Sequence, residues 1–195
     1  MSLRLGIFGG TFDPIHVGHL ILAELTRYLL KLDRVVFVPA RVPPHKGSDP
    51  TDPEYRYRMT DLACRDNPHF EVNDLELRRD GPSYTVETLR TFRGGTPEGT
   101  EHYLLMGADS ARDLETWKDH EFLLEEATVV VLARPGVGPQ DLPECVGERV
   151  TVLSTPRIEI SSTEIRRLVR EGASIRYLVT DPVERFIRSE GLYVS

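Results

Sequence analysis

Apolar residues recur along this chain in short blocks that switch between two spacings, and the switching outlines its organisation. Residues 3–8 alternate as a strand does and run into a glycine turn, Gly9-Gly10-Thr11-Phe12-Asp13-Pro14. From His16 to residue 30, Val17, Leu20, Ile21, Ala23, Leu25 and Tyr28 fall mostly three and four apart, which predicts a helix with one apolar stripe. Residues 34–39 form a short β-branched run closed by proline, the mark of a buried strand. Asp52-Pro53 has the cap-then-proline pattern of a helix start and predicts a helix to about Cys64. Residues 70–72 predict a short strand and residues 83–92 a helix, followed by a loop at Gly94-Gly95-Thr96-Pro97.

The alternation continues into the second half. Residues 102–106 predict a strand stopping at Gly107, and Asp109 opens the next helical stretch. Residues 128–133, Thr-Val-Val-Val-Leu-Ala, are the clearest buried strand; residues 134–143 are a Pro/Gly-rich loop, and residues 150–153 one more strand. Two helices close the chain. Ser161 and Glu164 have capping-box spacing, with Gly172 where a helix-ending glycine belongs. Asp181-Pro182-Val183-Glu184 repeats that logic and predicts a helix that ends at Gly191. Strands alternating with helices imply right-handed crossovers, so the expected fold class is α/β: a doubly wound, mainly parallel sheet with helices on both faces and C-terminal helices. One domain over residues 1–195 is expected, with ligands at the carboxyl ends of the strands.

Composition narrows the function classes. The 195 residues include 24 Lys and Arg against 31 Asp and Glu, a formal charge of −7, which excludes a basic nucleic-acid scaffold. No stretch approaches the roughly 20 apolar residues of a membrane helix, and the N-terminal run is too short for a secretory leader. Cys64 and Cys145 lie far apart with no CxxC, so neither a disulfide framework nor a zinc-thiolate site is expected, and a reducing cytoplasm is the expected compartment. No nucleic-acid or membrane partner is expected. The acidic charge leaves a homo-oligomer open.

The strongest chemical signal joins the first strand to the first helix. Gly9, Gly10, Thr11 and Phe12 lead into His16-Val17-Gly18-His19. Glycines let a backbone approach a ligand closely, and a helix start presents N–H groups and a positive dipole end to an anion. His16 and His19 share one face at this spacing and can both reach a polyphosphate, with Gly18 leaving room between them. Taken alone, each histidine reads as a core or surface residue beside a turn; the pair, the glycines and the place after strand one favour a phosphate site. Zinc would need a third ligand that this segment does not supply. Neither G-x-x-x-x-G-K-[ST] nor G-x-G-x-x-G is present. A second anion cradle is Ser161-Ser162-Thr163-Glu164-Ile165-Arg166. There a cap explains Ser161 and Glu164 and leaves Ser162, Thr163 and Arg166 for phosphate.

With these two segments the chain resembles the nucleotidylyltransferases that share a Rossmann-like core. Within that group it is similar to the bacterial nicotinate-nucleotide adenylyltransferases. The narrower resemblance rests on Pro43-Pro44-His45-Lys46, on Ser83-Tyr84-Thr85, on Gly107-Ala108-Asp109-Ser110 followed by Trp117, on Arg134-Pro135-Gly136, and on Val183-Glu184-Arg185-Phe186-Ile187. It covers essentially the whole chain. The resemblance implies adenylyl transfer from ATP to nicotinate mononucleotide, giving nicotinate adenine dinucleotide and pyrophosphate. It implies ATP contacts at Gly9, Gly10, Thr11, Phe12, His16, His19, Gly107, Asp109, Arg134, Ser162, Thr163 and Arg166, with His16, His19 and Arg166 catalytic. Lys46, Tyr84, Thr85 and Trp117 would serve the mononucleotide, and Mg2+ would be bound mainly through ATP phosphates, without a protein ligand set. Two positions depart from the pattern. Lys118 stands where relatives often have an aromatic, either as a solvated charge or as a cation near the nicotinate, and Thr180 stands where they often have proline. Other readings are the same transfer to nicotinamide mononucleotide or pantetheine phosphate, a silent nucleotide sensor, and a tRNA-binding synthetase fragment, against which the net charge argues.

Overall fold

The computed structural model describes residues 2–43, 50–133, 136 and 138–194. Among them β1 (Arg4–Gly10), β2 (Arg34–Pro39), β3 (Phe70–Val72), β4 (Glu101–Gly107), β5 (Thr128–Ala133) and β6 (Thr151–Ser154) form one sheet. The order is β3-β2-β1-β4-β5-β6, and every neighbouring pair is parallel. The helices are α1 (Val17–Leu30), α2 (Pro53–Cys64), α3 (Thr85–Gly95), α4 (Ala108–Arg112), α5 (His120–Glu126), α6 (Glu144–Gly147), α7 (Ser162–Arg170) and α8 (Asp181–Ser189). Parallel strands cannot be joined by tight hairpins, so each connection crosses over, and the sheet is covered on both faces as the strand and helix alternation predicts.

Period-two alternation along the strands decides which residue enters which core. Phe8, Phe37, Leu105, Val130 and Leu132 pack with Ala23 of α1, Met59 and Cys64 of α2, Ile165 of α7, and Val183 and Ile187 of α8. Their neighbours Ile7, Val36, Val38, Leu104, Met106, Val129 and Val131 pack on the other face with Val86 and Leu89 of α3, Ala111 of α4 and Leu123 of α5. Cys64 is buried and free, and burial pushes its thiol up, away from the reactive thiolate. No helix among the described residues is long and apolar enough to cross a membrane.

Helix ends follow the predicted caps with two exceptions. Asp52 Oδ1 accepts from the Glu54 N–H at 2.8 Å, with Pro53 as the first helical residue. Ser161 Oγ accepts from the Glu164 N–H at 3.2 Å, but the Glu164 carboxylate pairs with Arg167 at 2.6 Å, so the predicted capping box is half made. Gly172, at φ +68, ends α7 as expected. The cap of α8 is Thr180 rather than Asp181, because the Glu184 N–H donates to the Thr180 carbonyl at 2.9 Å and closes the first turn one residue earlier. The helix opened at Asp109 is short: it breaks at Asp113 into a single 3-10 turn, and α5, for which the sequence offers no clear start signal, follows. α3 runs through Gly94 and Gly95, residues that read as loop, because Thr96 closes it by donating both its N–H and its hydroxyl to the Phe92 carbonyl.

Candidate active site

All six strands end at one edge of the sheet, and the chain runs outward from β1 to β2 and β3 on one side and from β4 to β5 and β6 on the other. The crevice beyond the carboxyl ends of β1 and β4 is therefore the place where connections part and a ligand can enter. Gly9 and Gly107 lie at those two ends, and a Cβ on either would meet nothing within 4 Å. Gly10 is different. A Cβ there would stand 2.7 Å from Cζ of Phe12, whose buried ring lies over it. Phe12 itself takes φ +48, a left-handed conformation unusual for an aromatic residue. One glycine thus serves the turn's own packing, and the other leaves space at the crevice.

Both predicted histidines are brought together. His16 is the N-cap of α1, one residue outside the helix, and His19 is its third residue. Their rings stack with centroids 3.7 Å apart and planes 24° from parallel. The His16 N–H donates to Nδ1 of His19 at 3.2 Å. An Nδ1 that accepts leaves the neutral His19 ring with its proton on Nε2, so that nitrogen is a donor. The edge of Phe12 holds the His19 ring at 5.2 Å and 85°. Gly18 does not leave an open space between them, as the sequence suggests: its missing side chain is filled by the His16 ring, 3.0 Å from the place a Cβ would take, and by Ile158 at 3.1 Å. Nor are all the first N–H groups of α1 free for an anion, since Val17 donates to the Leu178 carbonyl at 2.9 Å and His19 to the His16 carbonyl at 3.0 Å.

His16 is buried, its Nδ1 has no hydrogen-bond partner, and burial holds its imidazole down at about 4. At neutral pH it is an uncharged ring. Because the folded-state value lies below the ordinary 6.5, the unfolded chain takes up a proton that the folded chain refuses. The stability of the neutral buried ring is therefore intact above pH 6.5 and is lost as pH falls towards 4, by about 3 kcal/mol at most. Thermal melts from pH 7 to pH 4 should show the wild-type melting temperature falling more steeply than that of His16→Gln. Parallel curves would remove His16 from this role.

The late segment meets the first loop although 153 positions separate them. Arg166 Nη1 donates to the Asp13 carbonyl at 2.6 Å, and Ser162 Oγ donates to the Pro14 carbonyl at 2.8 Å. Arg166 Nη2 also reaches Thr163 Oγ1 at 3.4 Å. Ser162 therefore uses its hydroxyl to dock α7 on the loop, while Arg166, with five N–H donors, retains donors beyond these two bonds. Asp13 organises this junction and has no local sequence signal. Buried, it accepts from the Tyr193 hydroxyl at 2.7 Å and from the Thr51 N–H at 3.2 Å.

On the opposite face, Tyr84 caps α3 and Thr85 is its first residue, where helix N–H groups lack carbonyls of their own. Tyr84 and Trp117 pack half-buried against the same core. Lys118 is exposed, its Nζ 3.0 Å from Glu87 and 4.9 Å from the centre of the Tyr84 ring. Ser83 Oγ accepts from the Arg41 N–H at 2.9 Å, tying the start of α3 to the exit of β2, and Thr88 donates to buried Glu76 at 2.5 Å, tying α3 to the segment after β3. Burial raises the Glu76 carboxyl. Asp109 stands at the carboxyl end of β4, exposed and paired with Arg112 at 2.6 Å. Lys46 and Arg134 lie outside the described residues. Among the described residues no group of three or more His, Cys, Asp or Glu side chains is placed to hold a metal ion.

Comparisons with known proteins give the chain's family and fold. Residues 7–168 match the family model described as cytidylyltransferase-like. A probable nicotinate-nucleotide adenylyltransferase of Thermus thermophilus is 50% identical over 192 residues, covering 98% of this chain and 100% of the relative. One from Moorella thermoacetica is 44% identical over 198 residues, covering 97% and 91%. The solved nicotinic acid mononucleotide adenylyltransferase of Plasmodium falciparum, complexed with NaAD, superposes with a TM-score of 0.79 at 20% identity, covering 98% of each chain. At that identity it shares the fold.

Proposed function

The chain belongs to the cytidylyltransferase-like family and, within it, to the nicotinate-nucleotide adenylyltransferases, and from that membership we propose that it joins ATP and nicotinate mononucleotide into nicotinate adenine dinucleotide with release of pyrophosphate. The observation that carries the site assignment is that the connection after β1, which leads into the stacked His16 and His19 rings, also receives Arg166 on its Asp13 carbonyl. The whole chain acts as one nucleotidylyltransferase domain, with both cores built on one sheet.

The reaction needs little covalent help. A phosphate monoester is largely a dianion at neutral pH, its second pKa being about 6, so the acceptor needs no general base. Its oxygen forms a bond to the α-phosphorus of ATP while the bond to the bridging oxygen breaks, and the electron pair leaves with pyrophosphate. The chain has to align two polyanions in line and stabilise the charge that develops. His19 Nε2–H, Arg166 and the residues around Gly9 and Gly107 do this on the ATP side, joined by Gly10, Thr11, Phe12, Ser162, Thr163 and Arg134 in this reading, with Lys46 on the mononucleotide side. His16 contributes as a neutral ring through Nε2, because its Nδ1 is sealed against Gly18. Mg2+ fits through the substrate, since Asp109 is the exposed acid at this edge and can hold metal-bound water; when bound, the ion neutralises phosphate charge.

Tyr84, Thr85 and Trp117 take the mononucleotide. The Trp117 ring stacks on the pyridine, and the start of α3 faces the nicotinate carboxylate. A donor facing a carboxylate makes a charge-assisted bond that an amide cannot fully supply, so the acid is preferred over the amide by about tenfold or more in kcat/KM. The test is pyrophosphate release with ATP and Mg2+, comparing nicotinate mononucleotide, its amide and pantetheine phosphate. Equal or better release with another acceptor moves the specificity, and release with none sinks the enzymatic reading.

A further inference from the structure

Arg56 of α2 takes no part in the reaction as described, yet its side chain is completely buried. A guanidinium carries five N–H donors and no acceptor, and burial is costly unless the donors are met. Here backbone carbonyls meet them. Nε donates to Thr51 at 2.7 Å, Nη1 to Thr11 at 2.8 Å and to Ala40 at 2.6 Å, and Nη2 to Arg41 at 3.1 Å. The four carbonyls come from three separate segments: the connection after β1, the exit of β2, and the residue before the cap of α2. Among the described residues no carboxylate accepts a hydrogen bond from the guanidinium, and Asp13 and Asp52 act on it through space.

An apolar residue of this volume would fill a core at least as well. What the guanidinium adds is a rigid fork that sets several carbonyls at fixed places relative to one another. Those carbonyls belong to the walls of the crevice. Thr11 lies between Gly10 and Phe12, and the Ala40 N–H donates to the Gly10 carbonyl at 2.9 Å. With the Thr11 carbonyl drawn to Arg56, the planar peptide turns the Phe12 N–H the opposite way. The Thr51 N–H in turn binds the Asp13 carboxylate, beside the carbonyl that Arg166 uses.

We propose that Arg56 is a positioning residue for adenylyl transfer: its buried guanidinium holds the connection after β1 and the exit of β2 in the geometry that the ATP phosphates need. The inference rests on the reading that the turn around Gly9 and His19 receives ATP. The test uses Arg56→Lys, which keeps the charge and loses the fork, assayed for pyrophosphate release well below its melting temperature. Leu89→Ala, a cavity in the core on the other face, serves as a control for lost stability. The expected result is a kcat lowered about tenfold or more, with KM for nicotinate mononucleotide within about twofold, while Leu89→Ala keeps wild-type kcat at the same distance below its own melting point. A kcat for Arg56→Lys within twofold of wild type, or an equal loss in Leu89→Ala, overturns the proposal. Arg56→Met, with no charge to bury, gives the same readout if Arg56→Lys does not fold; if neither folds, Arg56 serves folding alone and the proposal fails. Silence of the wild-type protein with every acceptor would instead remove the underlying reading.

Discussion

Replacing His19 by alanine is expected to lower kcat by about a hundred- to a thousandfold, the range for removing one preorganised donor from a developing charge. The ring is held for this role from three sides: His16 stacks on it, the Phe12 edge abuts it, and the His16 N–H occupies its Nδ1. Those contacts leave it few other orientations and fix its neutral tautomer. Folding should change little. The variant loses the hydrogen bond from the His16 N–H, worth about 1 kcal/mol, and alanine favours the helix, so the melting temperature should fall by only about 2–4 °C. Pyrophosphate release at saturating ATP and nicotinate mononucleotide, measured beside calorimetry, separates the two quantities. An activity loss no larger than the unfolded fraction explains would take His19 out of the chemistry.

Arg166→Met should be comparably damaging, about a hundredfold or more in kcat, because in the proposed reading charge on the departing pyrophosphate would lose a cation. Here stability also changes. Arg166 links α7 to the Asp13 carbonyl at 2.6 Å, and a hydrogen bond from a charged donor contributes about 1.5–3 kcal/mol, discounted because the side chain remains 30% exposed. The diagnostic comparison is Arg166→Lys, which keeps a charge but not the planar fork. It should recover less than tenfold of the lost kcat while restoring part of the melting temperature. Full kinetic recovery by lysine would mean that a point charge suffices and that the fork has no part in the reaction. A loss confined to the KM for nicotinate mononucleotide would relocate Arg166 to the acceptor side.

Much of this arrangement is readable in the chain before folding. Residues 34–39 and 128–133 form the strands their β-branched runs predict, and Asp52, Ser161 and Gly172 end their helices as predicted, because these signals act within a turn or two of backbone. The pair His16 and His19 is legible for the same reason. The misreadings are of a different kind. Gly18 suggests space, yet His16 and Ile158 occupy it; Asp181 suggests the cap of α8, yet Thr180 takes that place; Gly94 and Gly95 suggest a loop, yet α3 runs through them.

Arg56 marks the boundary most clearly. In the segment Glu54-Tyr55-Arg56-Tyr57-Arg58 it is one of two arginines on a polar helix, and nothing local separates the fully buried one from its exposed neighbour. Asp13 likewise gains its role from Tyr193 and Arg166, far along the chain. The succession of strands and helices, the caps at Asp52 and Ser161, and the family are legible in the chain, carried by neighbours within a few residues or by direct resemblance. The partners of buried Arg56 and Asp13 are legible only in the folded chain, since a donor's partner is settled by where distant carbonyls and carboxylates come to rest once the sheet has brought its connections to one edge.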